Sequence, residues 1–421
     1  MNATTPVYPT CEDIRLLDPA FYQAPYPKYQ WMRDNAPVYW DATDNIWGIT
    51  RYEDIHYCSM RPEIFCSGKN TRPTDTPIPS MINTDEPKHR QRRGVIKDRF
   101  TMGYVPIYEA FIRDAVSYFI DQICEQGQCD FVNDVAKHIP MLMIGKLMDL
   151  PIADYQKLLH WSDLFATGTT EDLDPEGIQE IIQAVGDYDA YIMAIINARR
   201  QQPGEDILSD IASAEIDGCP LRHEELMHES MLVLVGGDET TRHVMSGGLH
   251  ALLTHPAQYE ALWQNPGLLP NAIEEMLRWV TPVKNMVRTA TQDTEVNGQA
   301  IAEGDKLLLL YDAGNRDERV IGDPNTFNIQ RNLKRHMAFG GFGNHLCLGN
   351  HLARLEITVL FQEVMRRLPD IQLASDAPPP FRYGNFVLGF EELAVTFTPS
   401  APEKRVTSLE ALKAPLPPRG R

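Results

Sequence analysis

The chain has 421 residues, of which 43% are hydrophobic, an ordinary fraction for a globular protein with a large core. Its formal net charge of -19 argues against a general nucleic-acid-binding surface, and no stretch approaches the roughly 20 apolar residues that cross a bilayer. The seven cysteines include no CxxC pair, which argues against a disulfide framework and a zinc ribbon and fits a reducing cytoplasm.

We therefore expect a soluble cytoplasmic protein. Large single-core folds of this length are common, so residues 1–400 are expected to form one domain. Residues 401–421 are rich in proline and charge and predict a flexible C-terminal tail.

The N-terminal part predicts a β-hairpin followed by a loop. In residues 36–50, two short runs of β-branched and aromatic side chains flank a turn. Residues 71–87 contain several prolines, which break any helix. Met81 and Ile82 are apolar residues within this loop, and ordinary packing would explain them.

A basic segment at residues 88–99 stands out in an otherwise acidic chain. His89 and Arg93 are four positions apart and therefore share one face of a helix. For Arg90 and Lys97, a solvated helix face is the simplest explanation.

The middle of the chain, residues 105–214, shows helical periodicity and little chemistry. The next helix begins with His223 and His228, which look like the histidine pair of a zinc protease. Because these residues are five positions apart, their imidazoles lie off a common face, and we reject a zinc site.

Residues 221–254 form the longest helical candidate, about 34 residues or roughly 50 Å. Its middle contains Gly236 and Gly237, followed by acidic and hydroxyl residues that break helix propensity, as functional sites do. The Thr240 hydroxyl can bond to the carbonyl of Gly236 and open a local distortion for a small molecule. A close glycine contact between helices, with solvent-facing Asp238 and Glu239, would explain the run when it is taken alone.

The region after this helix predicts a helix and then strands. Glu275 and Arg278 are three positions apart and able to pair, although such pairs are common on surface helices. Residues 281–288 predict a turn into a strand, and strand patterns continue through 294–300 and 306–311.

The strongest signal surrounds Cys347, which follows a glycine-rich loop and precedes a helical run that starts at Asn350. Glycines adopt positive φ and let their N–H groups approach an anion. The N-terminal end of the helix favours thiolate over thiol, and such a thiolate is a ligand for a soft metal centre. The alternative is an ordinary buried free cysteine.

The pattern Phe-Gly-Gly-Phe-Gly-x-His-x-Cys-x-Gly, which ends at Gly349, resembles the cysteine loop of the cytochrome P-450 superfamily, the haem-thiolate monooxygenases. The resemblance covers roughly residues 8–399 and includes the other motifs in the same order. It implies a mainly α fold, a helical triangular prism with small β-sheets, and one haem b. One departure is Gly340, which stands where the family more commonly has phenylalanine.

The resemblance also implies a role for each motif. Cys347 is the proximal ligand of the haem iron. Glu239 is the acid and Thr240 the alcohol that deliver protons to dioxygen bound beside Gly236 and Gly237.

By the same resemblance, the other site residues fall into three sets. Those that contact the haem or its propionates are His345, His89, Arg93, Arg288, Phe339 and Phe342. Those that face the substrate are Met81, Ile82, Val235, Val283 and Met286. Those that pair to stabilise the core are Glu275, Arg278 and Arg331.

Three runs, at residues 236–243, 283–286 and 347–350, look like actinobacterial enzymes that hydroxylate the terminal methyl of the cholesterol side chain. We expect a monomeric monooxygenase that receives electrons from an NAD(P)H-dependent reductase through a ferredoxin, for which the basic residues of 88–99 could form a docking patch. An apolar pocket suits a fatty acid or terpenoid equally well. A peroxygenase of the same fold and a haem-thiolate gas sensor are the alternatives.

Overall fold

Helices make up most of the fold, with short strands gathered into small sheets. The computed structural model describes residues 14–73, 78–167, 175–333, 335–413 and 416. The α-helices of these residues are α1 Pro19–Gln23, α2 Tyr26–Asn35, α3 Tyr52–Ser59, α4 Lys88–Ile96, α5 Glu109–Ile123, α6 His138–Leu147, α7 Tyr155–Thr167, α8 Pro175–Gln201, α9 Ile207–Ala212, α10 His223–Thr254, α11 Pro256–Gln264, α12 Leu269–Val280, α13 Tyr311–Gly314, α14 Glu318–Ile321 and α15 Asn350–Arg367. The strands are β1 Val38–Asp41, β2 Ile46–Ile49, β3 Phe65–Cys66, β4 Gln128–Asp130, β5 Glu215–Ile216, β6 Cys219–Pro220, β7 Asn285–Ala290, β8 Thr294–Val296, β9 Gln299–Ile301, β10 Lys306–Leu310, β11 Gln372–Leu373 and β12 Ala394–Thr396.

The largest sheet contains the predicted hairpin. Strands β1 and β2 pair antiparallel, with Val38 opposite Ile49, and Asn45 in the turn adopts a φ of 49°. The sheet continues in the order β1-β2-β10-β7-β3, where β10 is parallel to β2 and antiparallel to β7. This sheet carries Met286 and Arg288 on β7 to the interior of the molecule.

The strand expected at residues 294–300 is instead a small hairpin. Strands β8 and β9 pair antiparallel across Asn297 and Gly298, which adopt φ values of 49° and 79°. Asn-Gly is the preferred central dipeptide of a tight hairpin turn because both residues tolerate positive φ. The residues therefore form strands as expected, and the strand pattern did not indicate the turn between them.

The predicted long helix is α10, whose 32 residues pass through the large core. Gly237 permits close contact with α6, because a Cβ at this position would lie 2.7 Å from Cγ1 of Ile144. Gly248 permits the same with α12, because a Cβ there would lie 2.8 Å from the sulfur of Met276. The two glycines therefore let α10 approach its neighbours more closely than other residues would allow.

The C-terminal segment up to residue 413 packs on the body of the protein. Val406 and Leu412 are buried in the large core, and the backbone N–H of Glu403 donates to Asp121 at 2.9 Å. Residues 401–413 are thus docked where a flexible tail is expected from composition. Residues 414, 415 and 417–421 lie outside the described residues.

Within the described ranges, no helix is both long enough and apolar enough to span a membrane. The same residues contain no group of three or more His, Cys, Asp and Glu side chains placed to hold a metal ion. His223, one half of the rejected histidine pair, instead lies 2.8 Å from Asp189.

Candidate functional site

Helices α4, α10 and α15, strand β7 and the cysteine loop enclose one large cavity. Its empty volume is about 1480 Å³, including the space open to solvent. The predicted site residues that line it are Met81, Ile82, His89, Arg93, Gly236, Gly237, Thr240, Val283, Met286, Arg288, Phe339, His345 and Cys347.

The cysteine loop presents Cys347 to this cavity. The backbone N–H of Cys347 donates to the carbonyl of Phe339 at 3.0 Å, and Gly340 and Gly343 adopt φ values of 94° and 74°. Only glycine adopts such values without strain. The loop therefore folds back on itself immediately before α15.

The surroundings of Cys347 do not by themselves favour a thiolate. Burial raises the pKa of the thiol, while the backbone N–H of Gly349 and the charges of Arg93 and Arg354 act in the opposite direction. The backbone N–H of Gly349 at the start of α15 acts in the expected direction, toward the thiolate, but burial outweighs it. A coordinated metal cation deprotonates a thiol, so bound iron would itself stabilise the thiolate form of Cys347.

Four basic side chains line the cavity near the cysteine, two arginines and two histidines. Arg93 donates to the carbonyl of Leu346 at 2.7 Å, and Arg288 donates to the carbonyl of Val287 at 2.8 Å. Among the described residues, neither arginine forms an ion pair with a carboxylate, although Arg288 is buried. Buried charges are normally paired, so this arrangement fits an anionic ligand.

The two histidine rings lie against each other at a tilt of 34°, with the ring centroids of His89 and His345 4.0 Å apart. Burial, together with the charges of Arg288, His89 and Arg93, lowers the pKa of His345 to about 2, so its ring is neutral. A neutral imidazole can still donate one hydrogen bond. With the unpaired arginines, these residues fit the two propionates of a haem whose iron would be bound by Cys347.

The predicted oxygen groove lies on the cavity side of α10. The hydroxyl of Thr240 donates to the carbonyl of Gly236 at 3.4 Å, as the spacing predicts. A Cβ on Gly236 would meet no atom within 4 Å, so glycine here leaves space toward the cavity. Gly237 instead faces Ile144 and serves the packing of α10 on α6.

Glu239 does not line the cavity, in contrast to its expected place beside Thr240. Successive helical residues are rotated by about 100°, and Glu239 points into a cluster of basic groups. It pairs with Arg242, and its carboxylate lies 3.1 Å from His243 and 3.1 Å from Arg382. The carboxyl group of Glu239 is therefore buried and already paired with basic side chains.

Two further expectations need correction. Val235 is absent from the cavity lining, which instead includes Leu232 and Val233, because the helical period places those residues on the face of Gly236. Phe342 is also absent, since its ring packs at 5.4 Å from His56 on α3. Of the two candidate aromatics, Phe339 is the one that faces the cavity.

The predicted structural trio forms a buried ion-pair network. Arg278 donates to Glu275 at 2.7 and 2.8 Å, and both side chains have no exposed surface. Arg331 lies 3.3 Å from the same carboxylate and donates to the carbonyl of Asp323 at 2.9 Å. Arg278 also donates to the carbonyl of Pro324 at 2.9 Å, so the trio fixes the segment that leads to the cysteine loop.

A second group of side chains supports the cysteine loop and was not predicted from the sequence motifs. Glu274 on α12 accepts from Arg354 on α15 at 2.6 Å and lies 3.0 Å from His336. The guanidinium of Arg354 lies 4.5 Å from the ring centre of Phe339, which lines the cavity. The position of Arg354, seven residues after the cysteine and one helical turn into α15, is the only sequence signal that could have indicated this role.

Comparisons with known proteins agree with this arrangement. The family model described as Cytochrome P450 matches residues 49–393. The chain is 42% identical over 395 residues to a steroid C26-monooxygenase of Mycolicibacterium smegmatis, covering 93% of this chain and 98% of that protein. It is 36% identical over 386 residues to a methyl-branched lipid omega-hydroxylase of Mycobacterium bovis, covering 87% of this chain and 90% of that protein.

A solved structure shows the same architecture. A Mycobacterium marinum cytochrome P450 in complex with pseudoionone superimposes with a TM-score of 0.85 at 29% identity, covering 94% of this chain and 100% of that one. The resemblance and the mainly helical fold expected from the motifs are thus confirmed. From the matched family model, the relatives and the cavity behind the cysteine loop, we conclude that the chain belongs to the cytochrome P450 family.

Proposed function

We propose that this protein is a monooxygenase that hydroxylates the terminal methyl group of a cholesterol-type steroid side chain. The observation that carries this proposal is the identity of 42% to a steroid C26-monooxygenase across nearly the whole of both chains. The cavity supports it, because apart from the haem partners its lining is mainly apolar. Met81, Ile82, Val283 and Met286 are the residues proposed to contact the steroid.

Each part of the site has a proposed task. The haem supplies the activation of dioxygen that amino-acid side chains cannot perform. Cys347 binds the iron, and Arg93, Arg288, His89 and His345 hold the propionates by charge-assisted hydrogen bonds.

We propose that Thr240 holds a proton at its hydroxyl beside the oxygen-binding space, next to the carbonyl of Gly236. Glu239 supplies protons to it from outside the cavity. Its carboxylate pairs with the guanidinium groups of Arg242 and Arg382 and lies 3.1 Å from His243.

Electron delivery is proposed to come from an NAD(P)H-dependent reductase through a ferredoxin to a monomeric, cytoplasmic protein. Only some of the basic residues in 88–99 are available for the proposed docking patch. Arg92 and Arg99 are buried in ion pairs with Glu229 and Asp210, which leaves Lys88, Arg90 and Lys97 exposed on this segment.

The test is an optical titration of the ferric haem protein with cholest-4-en-3-one, with a long-chain fatty acid as comparison. We expect a saturable low-spin to high-spin shift of the Soret band with the steroid, because a steroid that fills the cavity would exclude water from the haem side of it. A shift with the fatty acid alone would contradict the steroid proposal. Failure to form a haem complex would contradict the whole assignment.

A methyl-branched lipid chain is the second candidate substrate. The relative from Mycobacterium bovis named for that activity is 36% identical, and a branched chain ends in the same kind of methyl group as a steroid side chain. Including a methyl-branched fatty acid in the titration decides between the two.

Turnover assays separate the remaining alternatives. A monooxygenase requires the ferredoxin, its reductase and NADPH, whereas a peroxygenase works with hydrogen peroxide alone. A gas sensor would turn over substrate with neither system. We expect hydroxylated steroid only with the full electron-transfer chain.

A further inference from the structure

The loop that covers the cavity is bonded from outside by an arginine that belongs to none of the predicted motifs. Arg92 on α4 donates to the carbonyl of Pro79 at 3.1 Å and to the hydroxyl of Thr84 at 3.2 Å. These acceptors stand on either side of the 3-10 turn Met81–Asn83, from which Met81 and Ile82 line the cavity. We name residues 79–84 the roof turn.

Acidic residues of α10 hold this guanidinium in place. The Nε atom of Arg92 lies 2.8 Å from Glu229, and one Nη lies 3.4 Å from Glu225. Glu229 is itself buried, 3% exposed. The roof turn, α4 and α10 are thus joined through one ion pair.

The roof turn has a separate attachment on its other side. The side-chain oxygen of Asn83 accepts from the backbone N–H and the hydroxyl of Thr71, at 2.9 and 2.6 Å. Thr71 is linked to β7, because its carbonyl accepts from Val287 at 2.9 Å. Arg92 therefore fixes the helical side of the roof turn, and Asn83 fixes the sheet side.

We propose that Arg92 is a positioning residue that holds the roof turn over bound substrate and slows its release. Its planar guanidinium donates hydrogen bonds to two roof acceptors and forms an ion pair with Glu229 at the same time. The compact ammonium of lysine would keep the charge but would lose this fork geometry. With the roof held, Met81 and Ile82 present a rigid apolar surface, which favours substrates of matching shape.

The experiment compares Arg92→Lys with Arg99→Lys in the haem-loaded protein. Arg99 is a matched control because it is similarly buried, 4% exposed against 8%, and is paired with Asp210 at 2.6 Å. Its guanidinium also donates to the carbonyl of Glu205 at 2.9 Å, away from the roof turn. Both changes keep the charge, so general electrostatic effects cancel.

Two quantities are measured, the release rate of cholest-4-en-3-one from reversal of the spin shift and the hydrogen exchange of the Asn83 amide. For Arg92→Lys we expect release about tenfold faster and faster amide exchange, because a bond from a charged donor is lost. For Arg99→Lys we expect wild-type values of both. Unchanged release in Arg92→Lys, or equal acceleration in both variants, would overturn the proposal.

A milder variant guards against a general loss of folding. Thr84→Val removes one roof acceptor and leaves the ion pair between Arg92 and Glu229 intact, so we expect a smaller acceleration of release in the same direction. Wild-type release from Thr84→Val and Arg92→Lys together would also contradict the proposal.

The inference rests on the proposed function only through the choice of steroid as probe. If the wild-type protein shifts its spectrum with a fatty acid and not with the steroid, the steroid proposal fails. The Arg92 comparison is then made with the fatty acid, so the two failures are distinguishable.

Discussion

Thr240 and Glu239 are neighbours in the chain but occupy different environments. Thr240 faces the cavity and bonds to the carbonyl of Gly236, whereas Glu239 is buried among Arg242, His243 and Arg382. A proton that passes from Glu239 to the cavity must therefore cross from one face of α10 to the other. Of the two residues, Thr240 has its side chain on the cavity face of α10 and Glu239 does not.

Replacing Thr240 with alanine is expected to uncouple electron use from product formation. Without the hydroxyl, protons reach the oxygen-binding space less selectively, so we expect NADPH consumption to continue while product per NADPH falls about tenfold or more. The measurement is the ratio of hydroxylated steroid to NADPH consumed. Thr241→Ala, which alters a second threonine of the cavity lining, should keep near-normal coupling. Equal coupling in Thr240→Ala and the wild-type protein would contradict the role of Thr240.

At the scale of elements, α12 and α15 are tied together beside the cysteine loop through Glu274. Burial alone would raise the pKa of this carboxyl group, but hydrogen bonds and charges from Arg354 and His336 outweigh burial and lower it to about 2. Because Arg354 in turn lies against Phe339, this ion pair supports the loop that carries Cys347.

The lowered pKa of Glu274 predicts a pH-dependent stability. A folded-state pKa of about 2 against an ordinary value of 4.5 means that the stabilisation is present above pH 4.5 and is lost as pH falls toward 2. We expect Glu274→Gln to lower the free energy of unfolding by roughly 3 kcal/mol at pH 7, with the difference shrinking below pH 4.5.

Denaturant unfolding of the two proteins at several pH values provides the measurement. Glu295→Gln, at an exposed position of β8, is the control and should change little at any pH. A constant difference between Glu274→Gln and wild type from pH 7 down to pH 3 would show that charge on Glu274 is not the cause.

The packing of α10 on α12 gives a second prediction at this scale. A Cβ at Gly248 would lie 2.8 Å from the sulfur of Met276, so we expect Gly248→Ala to destabilise the protein by about 1–3 kcal/mol through overpacking. Gly186, exposed on α8, has no atom within 4 Å of such a Cβ. Gly186→Ala should therefore stabilise by about 0.5–1 kcal/mol because alanine favours the helix.

Thermal unfolding of the two haem-loaded variants tests this pair. Opposite shifts of the midpoint, downward for Gly248→Ala and upward for Gly186→Ala, are the expected result. Shifts of the same sign would mean that helix propensity outweighs the close approach of α10 and α12.

At the scale of the whole molecule, residues 401–413 pack on the core, although their composition is typical of a flexible tail. Val406 and Leu412 are buried, Arg405 pairs with Asp114, and the backbone N–H of Lys404 donates to Asp121 at 2.8 Å. This segment runs along α5 and closes part of the core around that helix.

Deleting residues 401–421 is therefore expected to reduce stability. Exposing the sites of Val406 and Leu412 alone should cost roughly 3 kcal/mol, which a lower midpoint of thermal unfolding would show. Deletion of residues 417–421 alone is the control, because it leaves both buried side chains in place. An unchanged midpoint after the longer deletion would mean that residues 401–413 contribute nothing to the fold.

The family and the mainly helical fold followed from the sequence alone, and most of the residues predicted for the haem, oxygen and substrate positions do line the cavity. The reason is that these features are encoded in short spacings, such as His89 to Arg93 along one helical face or the glycine-rich run before Cys347. A helix turn or a tight loop brings such residues together whatever surrounds them. The Asn-Gly turn between β8 and β9 was equally local, and it was overlooked rather than undetectable.

Contacts between distant segments depended on the tertiary structure. The orientation of Phe342 depends on α3, the ion pairing of Glu239 depends on Arg382 143 positions away, and the docking of residues 401–413 depends on α5. The contacts of Arg92 also depend on tertiary structure, because only the packing of α4 against α10 places this residue between Glu229 and the roof turn. Side chains on one helix have positions fixed by its period, but the partner that each one meets is decided by how the helices pack.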